Sequence, residues 1–163
     1  MNIPIKYLPN KLSNKDKKLQ LKQLKKSRKA YKKGIYIKRE QVKSYKSKKS
    51  QHIINAERIY NIKNLSINNE LIKKTGCSKK ALKKILKKGM GAYYSSGSRP
   101  NQTAHSWGIA RLASSISSGK AAAIDYKILE EGCKSNSKAL KLAKESRKKH
   151  GYGTRKVKKI NIN

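Results

Sequence analysis

The sequence predicts an all-α protein: a compact multi-helix bundle with a helix-turn-helix-like pair, a long ordered loop rich in Gly, Ser and Tyr, and basic flexible tails. Three observations support this fold class. Apolar residues recur at spacings of three and four, the period of an amphipathic helix. Gly, Ser or Asn separates these segments every 12–15 residues or so, as at helix ends. The longest apolar runs are only a few residues, too short for a transmembrane helix.

Composition divides the chain into three parts. Residues 1–49 form a Lys-rich N-terminal arm, residues 50–150 a helical core domain, and residues 151–163 a basic C-terminal tail. A chain of 163 residues suits one domain. Its core must be made without Phe, from Ile, Leu, Ala, Tyr and the single Trp.

Capping residues and glycines set the limits of the predicted helices. The capping-box pattern from Ser13 to Asp16 predicts a helix over residues 14–33, with Gly34 as its stop. The apolar stripe of this helix is thin, consisting of Leu21, Leu24 and Tyr31. It buries little surface, so we expect it to form fully only against a partner. The other helices are expected over residues 50–60, 66–75, 79–88, 103–117, 120–131 and 135–149, and either Ser66 or Asn68 can start the second of these.

The segments 66–75 and 79–88 resemble a helix-turn-helix motif. Gly76 occupies the turn, and the apolar positions are filled by Leu71, Cys77, Leu82 and Ile85. Ile72 departs from the motif, which usually has a small residue there for close helix approach. The second helix exposes lysines but has no Arg, Asn or Gln to read bases, which favours phosphate contact. A solvated amphipathic helix pair is the alternative interpretation.

Residues 89–108 are expected to form an ordered loop, because Gly and Pro disfavour a regular helix from residue 89 to residue 100. Trp107 is expected in the core. Tyr93 and Tyr94 suit either the core or stacking on unpaired bases. Arg99 is the only charged residue of this loop, and we expect it to contact DNA.

Charge limits the function most strongly. The chain has 43 Lys+Arg against 8 Asp+Glu, a net charge of +35. Such self-repulsion destabilises a compact state unless a polyanion is close by. Neutralising this charge takes about 60 Å of duplex DNA, far more than the ~6–10 phosphate contacts of a typical site-specific protein. Only seven of the cations are Arg, which again favours phosphate contact over base reading.

The expected nucleic-acid contacts lie on the second helix of the pair, in the central loop, in the following helix and in the Lys- and Ser-rich segment 38–49. These residues are Lys79, Lys80, Lys83, Lys84, Lys87, Arg99, Arg111, Lys43, Lys46, Lys48, Lys49 and Tyr94.

No enzyme chemistry is indicated. Glu130 and Glu131 are the only adjacent acids, and neighbouring residues diverge on a helix, so they are poorly placed to hold a metal ion. His105 lies near several serines but has no acid close in sequence to orient it. We therefore expect no catalytic residues, no metal and no cofactor. Cys77 and Cys133, 56 positions apart, are expected to be buried and reduced.

Three stretches carry a family resemblance. They are Thr-Gly-Cys-Ser-Lys-Lys-Ala-Leu at 75–82, Gly-Ala-Tyr-Tyr-Ser-Ser-Gly-Ser-Arg-Pro-Asn-Gln-Thr-Ala-His-Ser-Trp-Gly at 91–108 and Ile-Leu-Glu-Glu-Gly-Cys at 128–133. These stretches resemble a family of small basic proteins of giant DNA viruses, of the mimivirus and algal virus type. The resemblance implies a DNA-packaging nucleoid protein of the virion interior, also present in the viral factory of the host cytoplasm. It brings no catalytic residues.

The expected function is histone-like binding and compaction of double-stranded DNA without sequence preference, through lysine–phosphate contacts. Double-stranded DNA is the expected partner, and either a homodimer or the two basic ends of one chain would provide the two DNA-contacting faces that compaction needs. Neither a membrane nor a small-molecule substrate is expected. Two alternatives remain open: a basic structural virion protein that bridges capsid and genome, and an RNA-binding protein.

Overall fold

A computed structural model describes residues 1–153 and 157–162. Over these residues the chain forms eight α-helices and one small sheet, which confirms the all-α prediction. In chain order the elements are β1 (Asn2–Pro4), a 3₁₀ helix (Ile5–Tyr7), α1 (Asn14–Tyr31), α2 (Gln51–Tyr60), α3 (Asn69–Thr75), α4 (Lys79–Ser95), α5 (Ala104–Ile116), α6 (Lys120–Ile124), α7 (Tyr126–Gly132), α8 (Lys138–His150) and β2 (Lys159–Asn161).

Local sequence explains where most helices begin. In six of them a polar side chain accepts a hydrogen bond from a backbone N–H of the first turn: Ser13, Ser50, Asn68, Ser78, Thr103 and Ser137. Each such bond satisfies an N–H that has no partner within the helix and contributes about 1 kcal/mol. The expected starts of α1, α2, α4 and α5 are confirmed to within one residue. Of the two starts expected for α3, Ser66 and Asn68, the structure has Asn68 as the capping residue. The last helix begins at residue 138 and not at 135, because Ser137 is the residue that caps it.

The chain forms two compact units, each made of separate segments. Unit 1 comprises residues 1–48, residues 90–107 and the described C-terminal residues 157–162. Unit 2 comprises residues 49–89 and 108–153. The arm of residues 1–49 is thus mostly part of a unit that also takes the middle of the chain.

Unit 1 has a small apolar core and includes the sheet. Its buried apolar cluster consists of Ile3, Tyr7, Leu8 and Leu24. Trp107 packs against this cluster with its ring edge-on to Tyr7, 5.9 Å between centroids, so its expected core position is confirmed. β1 and β2 pair antiparallel, with Ile3 opposite Ile160.

The expectation of a flexible C-terminal tail is wrong for residues 157–162, because β2 belongs to this sheet. Its partner strand, β1, lies at the other end of the chain, so no local sequence pattern predicts that the two strands pair. Residues 154–156 and residue 163 of the expected tail lie outside the described residues.

The inward face of α1 differs from the expected stripe. Its buried side chains are Asp16, Gln20, Leu24 and Ser27, whereas Leu21 is only partly buried and Tyr31 is exposed. The Gln20 amide donates hydrogen bonds to the carbonyl oxygens of Tyr7 (3.2 Å) and Ser98 (3.5 Å). A mostly polar face is therefore buried by hydrogen bonding, which a search for apolar periodicity does not detect.

The helix-turn-helix-like pair lies in unit 2. α3 ends at Gly76, whose φ of 74° is the left-handed conformation that glycine adopts most readily. The expected apolar positions of the pair are buried, at 1% exposure or less: Leu71, Cys77, Leu82 and Ile85. They belong to the main core of this unit, which also draws on α2, α5, α6, α7 and α8.

α4 is longer than expected. The prediction that Gly89 ends it is wrong, since it continues to Ser95. Gly89 instead allows a close helix approach, because a Cβ there would lie 2.8 Å from the Cα of Gly108. The cost of about 1 kcal/mol for glycine inside a helix is offset by burial of Tyr93, 1% exposed. The ordered loop therefore shrinks to residues 96–103.

The two cysteines are joined in a disulfide, contrary to the expectation that they are reduced (S–S 1.97 Å). Backbone hydrogen bonds flank it, from Ser78 N to Gly132 O (2.8 Å) and from Lys134 N to Gly76 O (2.9 Å). This bridge ties the turn before α4 to the end of α7. A separation of 56 residues contains no signal that the two cysteines are neighbours in space.

Leu82→Ala should lower the free energy of unfolding by about 2–5 kcal/mol, because Leu82 is fully buried in the core of unit 2. Urea denaturation followed by circular dichroism measures this change. Ile54→Ala is the control, since Ile54 is 43% exposed on α2 and its loss should have a much smaller effect. Equal effects of the two substitutions would contradict the packing described for α4.

Candidate nucleic-acid interface

The most regular charged surface of unit 2 is the lysine face of α4. Its members are exposed: Lys79, Lys80, Lys83, Lys84, Lys87 and Lys88. They form two rows, one of residues 79, 83 and 87 and one of residues 80, 84 and 88. A rise of 1.5 Å per residue spaces the lysines of a row by about 6 Å. The opposite side of the helix buries Leu82 and Ile85, so the core holds these lysines towards solvent.

A buried carboxylate anchors this helix. Asp125, with a side chain 0% exposed, lies between α6 and α7. It accepts hydrogen bonds from Lys88 Nζ (2.8 Å), from Arg111 Nε (2.9 Å) and Nη2 (2.8 Å), and from Ser115 Oγ (2.9 Å). One acid thus joins α4 to α5. The continuous helix expected over residues 120–131 is interrupted at this residue.

The ionisation of Asp125 is set by two opposing effects. Burial alone would raise the pKa of this carboxyl group, but the hydrogen bonds and positive charges of Arg111 and Lys88 outweigh burial and lower the pKa below its ordinary value. The carboxylate therefore remains ionised at neutral pH. Lys88 is committed to this contact, which leaves five lysines of the α4 face as the expected phosphate contacts.

Arg111 has a structural partner in addition to its expected role. Its guanidinium binds Asp125 through two nitrogen atoms, and its side chain is 20% exposed. Its contact with nucleic acid stays a prediction. Lys49 likewise forms an ion pair with Glu57, with 2.8 Å between Nζ and Oε1.

In unit 1 the structure brings together the Lys-rich segment and the turn that carries Arg99. The Asn101 side chain accepts from Val42 N (2.7 Å) and donates to the carbonyl oxygens of Val42 (3.0 Å) and Tyr45 (2.7 Å). Four of the expected contacts therefore lie exposed on or beside this clamped pair of segments: Lys43, Lys46, Lys48 and Arg99. The expected contacts are thus divided between the two units.

Tyr94, the remaining expected contact, lies in an aromatic cluster of unit 1. Its ring is half-buried between Tyr93, at a centroid distance of 5.0 Å, and Tyr36, at 5.1 Å. The sequence left open whether Tyr93 and Tyr94 lie in the core or stack on unpaired bases. Tyr93 is buried and therefore belongs to the core. Tyr94 lies between Tyr93 and the surface, and its stacking on a base stays a prediction.

Arg39 is the organising residue of unit 1 that sequence analysis missed. The residue is only 8% exposed, and its guanidinium carbon lies 3.7 Å from the centre of the Tyr93 ring. It donates to Ser27 Oγ (3.1 Å), Tyr93 O (2.8 Å) and Ser98 Oγ (2.8 Å). Burial lowers its pKa, yet an arginine stays charged in proteins. One signal existed: in a Lys-rich chain the rare Arg is the cation suited to stacked, buried positions.

Metal-ligating clusters and membrane-spanning helices are both absent from the residues that the structure describes. No group of three or more His, Cys, Asp or Glu side chains within them is placed to hold a metal ion. None of the helices they form is long and apolar enough to cross a membrane.

The fold and the charge pattern define the chain as a lysine-rich, all-α protein with an exposed basic helix. Residues 4–132 match the model of a family of unknown function (DUF5824), and the chain belongs to this family. No curated protein and no solved structure matches this chain.

Asp125→Asn should destabilise the protein by about 3–5 kcal/mol at neutral pH, because it leaves Arg111 and Lys88 without their counter-charge. Urea denaturation measures the loss. The control is Glu70→Gln, which removes an exposed ion pair with Lys74 and should cost less than about 1 kcal/mol.

Comparison of wild type with Asp125→Asn over a range of pH also tests the pKa of Asp125. Because its folded-state pKa is lowered, its contribution to stability is complete above the ordinary carboxyl pKa of about 3.9. The contribution is lost as the pH falls through the lowered folded-state value. The stability difference between wild type and Asp125→Asn should therefore shrink only in acid. A difference that already shrinks between pH values of about 7 and 5 would contradict the ionisation assigned here.

Proposed function

We propose that the protein binds double-stranded DNA without sequence preference and compacts it. The observation that carries this proposal is the lysine face of α4, supported on a helix that contains no acid. Lysine is a compact point charge that suits phosphate oxygens at many positions and does not need one base sequence.

The charge of the whole chain supports the proposal. A net charge of +35 far exceeds what one specific site needs. Contacts of this kind release condensed counterions, so affinity depends steeply on salt. Compaction also needs a second contact surface, and unit 2 has one candidate on α8, where five lysines are exposed: Lys138, Lys141, Lys144, Lys148 and Lys149. A second copy of the chain is another source of such a surface.

The family resemblance of the sequence supports a setting for this activity. In the proposal the DNA is the genome of a large DNA virus. The protein then acts in the virion interior and in the viral factory of the host cytoplasm, as a nucleoid component without enzymatic activity.

Replacing Lys79, Lys80, Lys83 and Lys84 by Gln should weaken duplex binding to the same degree for all sequences. The slope of log affinity against log salt should flatten by about 3–4, because four phosphate contacts are lost. Mobility shifts with random duplexes at several salt concentrations measure both quantities. Arg at the same four positions should restore the slope.

The charge-matched control replaces four exposed lysines scattered over unit 2, namely Lys63, Lys73, Lys127 and Lys134. If this control weakens binding as much as the α4 variant, the α4 face is not the interface. Wild-type affinity that hardly changes between low and physiological salt would overturn the proposal itself. RNA that competes better than duplex DNA would favour the RNA-binding alternative.

A further inference from the structure

Unit 1 contains a cationic pocket that the duplex proposal does not use. Its volume is about 400 Å³, and it is lined by Met1, Lys25, Arg28, Lys29, Lys32 and Ser95. Four of these residues are cations on one side of α1. Arg28 is held in place, because its Nε donates to Ser96 O (2.8 Å) and its Nη1 to Asn2 O (3.3 Å). The size and charge of this pocket suit a phosphate-bearing small group.

Aromatic rings stand at the same two helix ends that line the pocket. After α1 the chain reverses through Gly34, and Tyr36 returns onto Tyr31, 5.9 Å between ring centroids. Tyr36 also contacts Tyr94 at 5.1 Å. The rings do not line the pocket, but Tyr31 directly precedes Lys32 and Tyr94 directly precedes Ser95, so the backbone of each adjoins a residue that does.

The ring series runs from the interior to the surface. Tyr93 is 1% exposed, Tyr94 is half-buried and Tyr36 is 65% exposed. The inner rings and the Arg39 guanidinium over Tyr93 fix the inner end of the series. Tyr36 is therefore a supported ring with an open surface, and Ile35 beside it is 54% exposed.

We propose that unit 1 is a second binding site, specific for unpaired nucleotides, in which the pocket holds the phosphate backbone and Tyr36 stacks on a base. Cations combined with exposed aromatic rings are the usual means of binding single strands without sequence preference. The faces of the bases are covered by their neighbours in a duplex, so Tyr36 distinguishes single strands from duplexes. An acidic peptide would neutralise the cations but would offer the exposed rings no planar group on which to stack, so nucleotides fit this site better.

This inference goes beyond the duplex proposal and does not depend on it. The duplex proposal concerns the α4 lysines of unit 2 and is tested by charge. The single-strand site concerns a neutral ring of unit 1, whose removal leaves the net charge unchanged.

The experiment compares wild type with Tyr36→Ala, Tyr36→Phe and Tyr152→Ala. Fluorescence anisotropy measures binding to a labelled oligothymidine and to a duplex of equal length, at the highest salt that still allows detection. Tyr36→Ala should weaken oligothymidine binding about five- to 100-fold and leave duplex binding unchanged. Tyr36→Phe keeps the ring and should bind like wild type. Tyr152 is 75% exposed in unit 2 and is the matched control, expected to have no effect.

A second variant tests the pocket. Gln at Lys25, Lys29 and Lys32 should weaken oligothymidine binding more than the charge-matched change of Lys63, Lys73 and Lys127 to Gln. Three results would overturn the inference: unchanged oligothymidine binding by Tyr36→Ala, an equal loss for oligothymidine and duplex, or equal effects of the two triple variants. If the α4 variant fails to affect duplex binding while Tyr36→Ala selectively weakens single-strand binding, only the duplex proposal falls.

Discussion

Unit 2 depends on one buried carboxylate in a chain that has very few. Asp125 gathers Lys88 of α4, and Arg111 and Ser115 of α5, at the junction of α6 and α7. A buried carboxylate is costly unless several donors compensate it, and here four hydrogen bonds do so. The positive charges of Lys88 and Arg111 would repel each other, but both bind Asp125 and so connect α4 to α5. The lysine face of α4 is consequently presented by a helix held at two points, by the disulfide before its first turn and by the ion pair of Lys88, near its middle, with Asp125.

Unit 1 uses one buried acid, Asp16, which accepts from Ser44 N (2.7 Å), but most of its side-chain hydrogen bonds are made to uncharged groups. Its irregular segment after α1 is held by side chains that bond to backbone groups: Arg39 to Tyr93, Asn101 to Val42 and Tyr45, and Gln23 to Glu40. Within the described residues no buried side-chain nitrogen or oxygen lacks a partner. Hydrogen bonds to uncharged groups do not require counter-ions, so this construction is compatible with a chain of high net positive charge. Amide and guanidinium groups thus supply much of the cohesion that ion pairs supply in less basic proteins.

Features that depend on neighbouring residues in the sequence could be predicted, whereas features that depend on residues far away in the sequence could not. Caps such as Ser13 and the turn at Gly76 follow from local hydrogen bonding and backbone freedom, and the lysine face of α4 follows from helical periodicity. The continuation of α4 past Gly89 depends on Gly108, a residue of another helix, and the role of Arg39 depends on Tyr93, 54 positions away. For the candidate site, the α4 lysines were predicted as a set. Tyr94 was also predicted as a contact, but the pocket and the rings of Tyr31 and Tyr36 were not, because they depend on how the ends of α1 and α4 meet.

The disulfide has a topological consequence. Its closed loop runs from Cys77 to Cys133 and therefore encloses residues 90–107, the middle segment of unit 1. A protease that cuts the turn at residues 96–103 would produce two fragments still joined by one covalent bond. Such a nicked molecule would migrate as a single species on a denaturing gel without reductant and as two species with it. The disulfide thus keeps both parts of such a cut chain covalently connected.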